Sequence, residues 1–391
     1  MPVVIASAVR TAIGAFQGVL APLSAPRLGT VVVRDALERA GIGPDEVDLV
    51  LMGQVLSAGS GQAPARQAAL GAGVPERVPA VTVNKMCGSG VETIIQGARA
   101  IALGDARVVV AGGMESMSNA PYLIPAARGG LRLGDGAVVD SILRDGLVDV
   151  YDGRHMGTGA EWCARTHGLS RAAQDDYAAR SYRRAQHATA AGIAAREIVP
   201  VEVPGRRGAV TTVATDEGPA RVDFDRLPTL RPVFEQDGTV TAGNASSLND
   251  GAAALVIADE TVAASRGWPV LARIRGYAGH AQAPSEFTTA PIGAMRALYA
   301  RTGWKPEEVD AYEINEAFAV VPMVAMKAFD LDPERVNVLG GAVSVGHPIG
   351  TSGARILVTL LNVLQELGGR RGVASICIGG GEALALAIER D

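Results

Sequence analysis

Short apolar runs and longer amphipathic stretches alternate along the chain. The opening MPVVIASAVRTAIGAF reads as a strand, and VVVRDALERAGIG after it carries a helical pattern, followed by PDEVDLVLMGQ. Much later the order recurs: PIGAMRALYARTGWK is helical and PEEVDAYEINE follows it. The two PxEVD segments lie about 260 positions apart, a spacing that suits two duplicated halves and is far too long for a solenoid. Each half continues with an apolar strand (AVTVN at 80–84, VNVL at 336–339), a Gly-rich turn and a long helix. Each then has a strand ending in glycines, ARVVVAGG at 106–113 and VASICIGGG at 373–381. Continuous Val/Ile runs alternating with helices predict α/β layers with buried strands.

Residues 120–250 have no counterpart in the second half. They hold irregular Gly- and Arg-rich stretches, ARGGLRLGDG and PGRRGAV, and one clear helical stretch, SRAAQDDYAARSYRRAQHATAAG. Long excursions from a compact domain are usually functional. The pattern divides the chain into a first half of 1–119 and 251–268, an inserted loop domain of 120–250, and a second half of 269–391.

Composition narrows the class without changing this picture. The chain has 391 residues, 48% of them hydrophobic and 20% charged, which excludes wholesale disorder and supplies a large core. A net charge of −5 gives no reason to expect nucleic acid as a partner. No apolar run reaches the ~18–20 residues of a membrane span. The N-terminus lacks the charged start of a signal peptide, and AIERD at the C-terminus is no peroxisomal tripeptide. The expected location is cytoplasmic. Three widely spaced cysteines (Cys87, Cys163, Cys377) form neither a disulfide framework nor a zinc pattern. Cys163 and His167 stand i, i+4, but no second ligand pair accompanies them, so Cys163 reads as core and no metal is expected.

Cys87 falls between the strand AVTVN and a helix whose apolar face is Val91, Ile94, Ile95, Ala98, Ile101 and Ala102. A thiol there meets the positive end of the helix dipole and its free N–H groups, which favours thiolate and hence a nucleophile. Gly88 and Gly90 would let another chain segment approach the sulfur. The alternative is a buried cysteine at a helix start. His347 occupies the equivalent turn of the second half, in GGAVSVGHPIGTSGARI. If a pseudo-twofold axis relates the halves, the two turns face one another and a His meets a Cys, the pairing that activates a thiol. The alternative is a His that only braces its own loop. Cys377 ends a strand and precedes Gly379, Gly380 and Gly381, whose N–H groups could hold an oxyanion. Asn315 follows the second PxEVD strand and could orient a water or donate to an oxyanion.

These segments resemble the thiolase family. NKMCGSG around Cys87 resembles its nucleophile motif, and NEAFA at 315–319, GHPIGTSGAR at 346–355 and CIGGG at 377–381 resemble its other three catalytic loops. VAGGMESMSNAPY at 110–122 and AGNASSLNDGAAA at 242–254 add two more, and the likeness runs from about residue 3 to about 389. The resemblance implies a duplicated, five-layered αβαβα fold with a loop domain inserted in the first half. It implies that Cys87 takes an acyl group from acyl-CoA after His347 removes its proton. Cys377 would then take a proton from the α-carbon of a second acetyl-CoA. A water held by Asn315, with His347, would bind the enolate oxygen; the N–H groups of Cys87 and Gly379 would serve the acyl-enzyme. No metal or tightly bound cofactor is implied, only coenzyme A thioesters as substrates.

By the same resemblance, YDGRHMG at 151–157 places His155 and Met156 at the acyl and pantetheine end, as in acetoacetyl-CoA thiolases, and favours short chains. Ser246 would contact pantetheine, Ala317 and Phe318 would wall the tunnel, and Arg221 would neighbour the adenine or its phosphate. YLIPAARGGLRLGD resembles the loop through which family members form homotetramers, dimers of dimers. One departure stands out: after CIGGG the family commonly continues Met-Gly, whereas this chain has Glu382-Ala383. A carboxylate there would raise the Cys377 thiol or face solvent. A β-ketoacyl synthase would need a His where Cys377 stands. A cysteine hydrolase built on Cys87, His347 and Asn315 would leave Cys377 and the duplication unexplained. A non-catalytic CoA-binding relative would be expected to lack at least one of Cys87, His347 and Cys377.

Overall fold

The structure is a computed structural model that describes residues 2–391. Four strands of the first half line up with a fifth at the centre of one long sheet. They are β1 (Val3–Thr11), β2 (Leu49–Gly53), β3 (Ala80–Val83), β4 (Val108–Ser116) and, beyond the insertion and its short β5 (Ile198–Val199), β6 (Asn249–Asp259). The second half adds β7 (Ala272–Ala281), β8 (Ala311–Ile314), β9 (Arg371–Ile378) and β10 (Glu382–Glu389). The hydrogen-bonded order is β3-β2-β4-β6-β1-β7-β10-β9-β8. Reading outward from the β1–β7 seam, each half repeats one scheme: antiparallel partners first, then parallel ones. The seam itself is short, joining Val4 to Arg273 and Ile5 to Ala272. The duplication expected from PxEVD is thus visible in the order and sense of the strands nearest the seam.

Helices fill three layers around this sheet. α1 (Ala25–Ala40) and α2 (Pro64–Gly71) cover the outer face of the first half, and α3 (Ser89–Leu103) its inner face. The insertion contributes α4 (Met156–His167) and α5 (Arg171–Ala190). α6 (Ala290–Thr302) covers the outer face of the second half, joined by α7 (Val320–Phe329), and α8 (Ile349–Leu367) lies inside against α3. The result is the αβαβα layering. α8 is buried on every side from Ile349 to Leu364, as a helix in a central layer must be.

The central helices touch at glycines. A Cβ on Gly90 would lie 2.4 Å from the Ala354 nitrogen, and one on Gly353 would lie 2.5 Å from the Val91 nitrogen. Both contacts fall near the helix starts, so the turns that precede α3 and α8 come to the same end of the central layer.

Two expectations need correction. VNVL at 336–339 is not a strand: only Val336 forms a bridge, to Tyr312. Asn337 takes a left-handed backbone (φ 49°), and its side chain accepts from Ile314 N–H and donates to Ile314 C=O, both at 2.8 Å. An amide side chain thus completes the edge where the first half uses β3. β6 also begins at Asn249, so the strand reaches back across the boundary drawn at 251. The insertion is tied into the sheet as well, since β5 pairs in parallel with β1.

Candidate active site

Between β3 and α3 the chain makes a tight turn. Asn84 Oδ1 accepts from the Met86 N–H at 3.0 Å, and Gly88 N–H donates to Lys85 C=O at 3.0 Å. Ser89 Oγ accepts from the Lys85 N–H and donates to Met86 C=O, closing the turn from the helix side. Met86 is left with φ 48°, a conformation that costs a non-glycine residue energy and marks a backbone held in place by its surroundings. Cys87 follows it. Gly88 packs closely: a Cβ there would lie 2.4 Å from Ile378 Cδ1, in the strand that carries Cys377.

Cys377 ends β9. Ile378 and Glu382 pair across the hairpin, so Gly379, Gly380 and Gly381 form a three-residue turn, the last two left-handed. The backbone N–H groups of Gly379 and of Cys87 itself both act to lower the Cys87 thiol. Burial nevertheless pushes the Cys87 thiol up to about 11, outweighing both donors. This reverses the expectation drawn from the helix dipole. α3 begins only at Ser89, two residues beyond the sulfur, and removal from water dominates. Cys377 is fully buried and its thiol is also raised well above the usual range, by burial first and then by the neighbouring Cys87. At rest both groups are thiols.

His347 lies in the turn before α8. Its backbone N–H donates to Asn249 Oδ1 at 2.9 Å, a contact that needs Gly346, where a Cβ would strike the Asn249 amide. Ser352 donates its hydroxyl proton to Pro348 C=O at 2.8 Å. Its oxygen is then the acceptor for His347 Nδ1–H at 2.5 Å, which leaves Nε2 as the end with a free lone pair. Nε2 is buried and has no protein partner among the described residues. Burial, assisted by the Arg355 guanidinium, holds the imidazole down at about 3, so it is neutral and able to accept a proton.

Asn315 is also fully buried. Arg355 Nη2 donates to its Oδ1 at 3.2 Å, so the free end of the amide is Nδ2, which has no protein partner. Arg355 is in turn paired with Glu313 at 3.1 Å. Ser352, Asn249 and Arg355 escaped sequence reasoning. Ser352 and Arg355 lie within GHPIGTSGAR and Asn249 within AGNASSLNDGAAA, but nothing in spacing assigns them these partners.

Residues 3–261 match the family description "Thiolase, N-terminal domain" and residues 268–390 match "Thiolase, C-terminal domain". The chain belongs to the thiolase family. It is 49% identical over 389 residues to the acetyl-CoA acetyltransferase of Cupriavidus necator, covering 99% of each chain. It is 47% identical over 392 residues to the cytosolic acetyl-CoA acetyltransferase of Rattus norvegicus, covering 100% of this chain and 98% of the relative. A crystal structure of Acat5 thiolase from Ascaris suum in complex with coenzyme A superposes with a TM-score of 0.95 at 42% identity, covering all of both chains.

In this thiolase the insertion meets the two turns from outside. His155 caps α4, its Nδ1 accepting from the Gly157 N–H at 3.0 Å, and its ring stacks on Phe234 at 4.7 Å. Phe234 in turn meets Phe318 edge-on at 6.1 Å, and Phe287 meets Phe318 at 6.4 Å. Met156 reaches the glycine turn: a Cβ on Gly379 would lie 3.8 Å from its sulfur. Ser246 donates to Ala317 C=O at 2.9 Å, with Ala317 and Phe318 buried beside it. A cavity of about 110 Å³ is lined by His155, Met156, Trp162 and Phe287. Arg221 stands apart: it is exposed and paired with Glu217, and no contact links it to this cluster. Cys163 is core, as expected, but its charge would be felt by Cys377, which makes it a third thiol beside the site. Glu382 neither faces the Cys377 thiol nor is free in solvent; it forms an ion pair with Lys85.

Proposed function

We propose that this thiolase is an acetyl-CoA C-acetyltransferase that joins two acetyl-CoA into acetoacetyl-CoA and CoA, and cleaves 3-ketoacyl-CoA in reverse. The observation that carries the reading is the convergence on Cys87 of a backbone donor from Gly379 and a second thiol, Cys377. His347 Nε2 takes the Cys87 proton as the sulfur attacks the thioester carbonyl. The N–H groups of Cys87 and Gly379 receive the developing oxyanion. The departing CoA thiolate takes the Cys377 proton and leaves as CoA. Cys377, now thiolate, removes the α-proton of a second acetyl-CoA. Protonated His347 Nε2, with a water on Asn315 Nδ2, donates to the enolate oxygen. The enolate carbon attacks the acetyl group, the bond to Cys87 breaks, and the Cys87 sulfur recovers its proton from His347. Every proton is accounted for, and splitting the reaction at a covalent intermediate replaces one hard step with two easier ones.

The stacked His155–Phe234 pair against Phe318 supports short acyl chains. Met156, Ser246 and Ala317 suit the pantetheine end, and Arg221 is the residue we assign to the adenine region from its place on the insertion. The exposed apolar side chains Tyr122, Ile124, Leu131, Leu133 and Val138 support association of the inserted loop into a homotetramer. The cytosolic rat relative supports a cytoplasmic location. We propose that no cofactor is tightly bound.

Incubation with acetyl-CoA should add one acetyl group to Cys87, read by peptide mass spectrometry; label elsewhere would overturn the mechanism. Acetoacetyl-CoA should be cleaved much faster than a long-chain 3-ketoacyl-CoA. Equal or reversed rates would assign the protein to longer-chain degradation instead.

A further inference from the structure

The glycine turn that presents the Gly379 N–H is held by sheet pairing at its base, and toward the first half it has no side chain of its own to offer. Gly380 and Gly381 are left-handed, and no side chain of the three can anchor the loop. At its base Glu382 pairs with Ile378 and with Ala281, and beyond that pairing a backbone bond from Gln282 N–H to Gly381 C=O at 2.9 Å ties the turn to its own half. The first side chain after the turn is Glu382, and its carboxylate pairs with the ammonium of Lys85. Lys85 is the residue on which the Cys87 turn is built, its C=O accepting from Gly88 and its N–H donating to Ser89. The pair therefore runs from the first residue of one catalytic turn to the first residue beyond the other, between the two halves.

We propose that Lys85 and Glu382 are positioning residues whose ion pair clamps the Gly379–Gly381 turn of the second half onto the Cys87 turn of the first, and so sets the approach of the Gly379 N–H to the Cys87 sulfur. The inference rests on the reading of Cys87 as nucleophile and Gly379 as its oxyanion donor. Both side chains are partly exposed, so the pair contributes through geometry rather than through raw Coulomb energy. Burial raises the Cys87 thiol, and the Gly379 N–H is the largest influence opposing it. Loosening the clamp weakens that donor.

The clamp and a through-space charge effect predict opposite patterns. Bare charge would make K85M slow and E382M fast in thiol alkylation, because one leaves an anion near the sulfur and the other a cation. The clamp makes both slow. The test measures iodoacetamide alkylation of Cys87 by peptide mass spectrometry across pH, in the unchanged protein, K85M, E382M, K85M/E382M and K85R. Glu115 and Cys377 also face the sulfur electrostatically and stay the same throughout. The expected result is an alkylation rate about two- to fivefold lower in each single variant, the range open to a partly exposed pair. The double variant should be no slower than either single, K85R should be near normal, and melting temperatures should be unchanged. Opposite changes in K85M and E382M, or rates indistinguishable from the unchanged protein, would overturn the proposal. Acetyl-CoA labelling of the unchanged protein stands as a separate control. Failure to acetylate Cys87 removes the nucleophile reading, whereas normal acetylation with unaltered variants removes only the clamp.

Discussion

Arg355 holds Asn315 by its amide oxygen, at 3.2 Å, and so decides that the nitrogen is the end left free. Glu313 holds the same guanidinium from behind. Removing the amide, as in N315A, should slow the condensation step by about 10²–10³-fold, the effect of one preorganised donor worth roughly 3–4 kcal/mol. Acetylation of Cys87 by the first acetyl-CoA should change by far less. Rapid-quench measurement of the two half-reactions separates them, and equal losses in both would take Asn315 out of the enolate step.

Arg355 also helps keep His347 neutral. Burial pushes the Glu313 carboxyl up while Arg355 holds it down, so the carboxylate is ill-suited to stand alone in the core. Breaking a buried pair by removing one partner is destabilising by ~3–5 kcal/mol, so R355M alone is expected to fold poorly. E313Q/R355M removes both charges. In that variant His347 should titrate above its present value of about 3, moving toward 6.5 as the guanidinium's influence disappears while burial remains. NMR of the imidazole reports this; an unmoved titration would leave burial as the whole cause.

The raised Cys87 thiol has a direct kinetic signature. Alkylation by iodoacetamide should climb steadily with pH toward about 11 and show no plateau near neutrality. A resting thiolate paired with imidazolium would instead give fast, nearly pH-independent alkylation from pH 6 to 8.

Much of this site was legible in the chain. The paired PxEVD segments located the two halves, and the Cys87 and His347 turns were recognisable as equivalent positions within them. The sign of the thiol shift was not legible, because it depends on how much water the folded turns exclude. VNVL looked like a strand because its apolar run carries no mark of the left-handed Asn337. The Lys85–Glu382 pair joins residues 297 apart in sequence, beyond the reach of any local pattern.

His347 should also make the fold sensitive to acid. Its folded pKa lies below the unfolded one, so the folded state binds fewer protons through the window from 6.5 down to about 3. Its contribution to stability is therefore complete above 6.5 and is lost as pH falls through that window. Urea unfolding at pH 7 and pH 4.5 should show a decrease that is smaller in H347N. An equal decrease would place the acid sensitivity on other groups.

Phe234 joins His155 to Phe318, and F234A should open the acyl end of the site. The ratio of kcat/KM for acetoacetyl-CoA over a six-carbon 3-ketoacyl-CoA should fall by roughly tenfold or more, since each added methylene that finds space gains ~0.8 kcal/mol. Steady-state thiolysis of both substrates checks this, and an unchanged ratio would place the chain-length filter elsewhere.

The glycine crossing of α3 and α8 has a consequence for how such a catalyst can change. Where Gly90 and Gly353 meet, main chain rests on main chain, with only the Ala354 Cβ and a Val91 methyl beside the joint. The joint acts as a ruler made mainly of backbone, so the gauge between the Cys87 and His347 turns depends little on which side chains surround it. His155, Met156 and Phe234, the residues we propose for the acyl end, all belong to the insertion and lie off that ruler. Substrate choice can thus be rewritten in one segment while the bond-making machinery keeps its dimensions, a division of labour in which the tool and its jig are separate pieces.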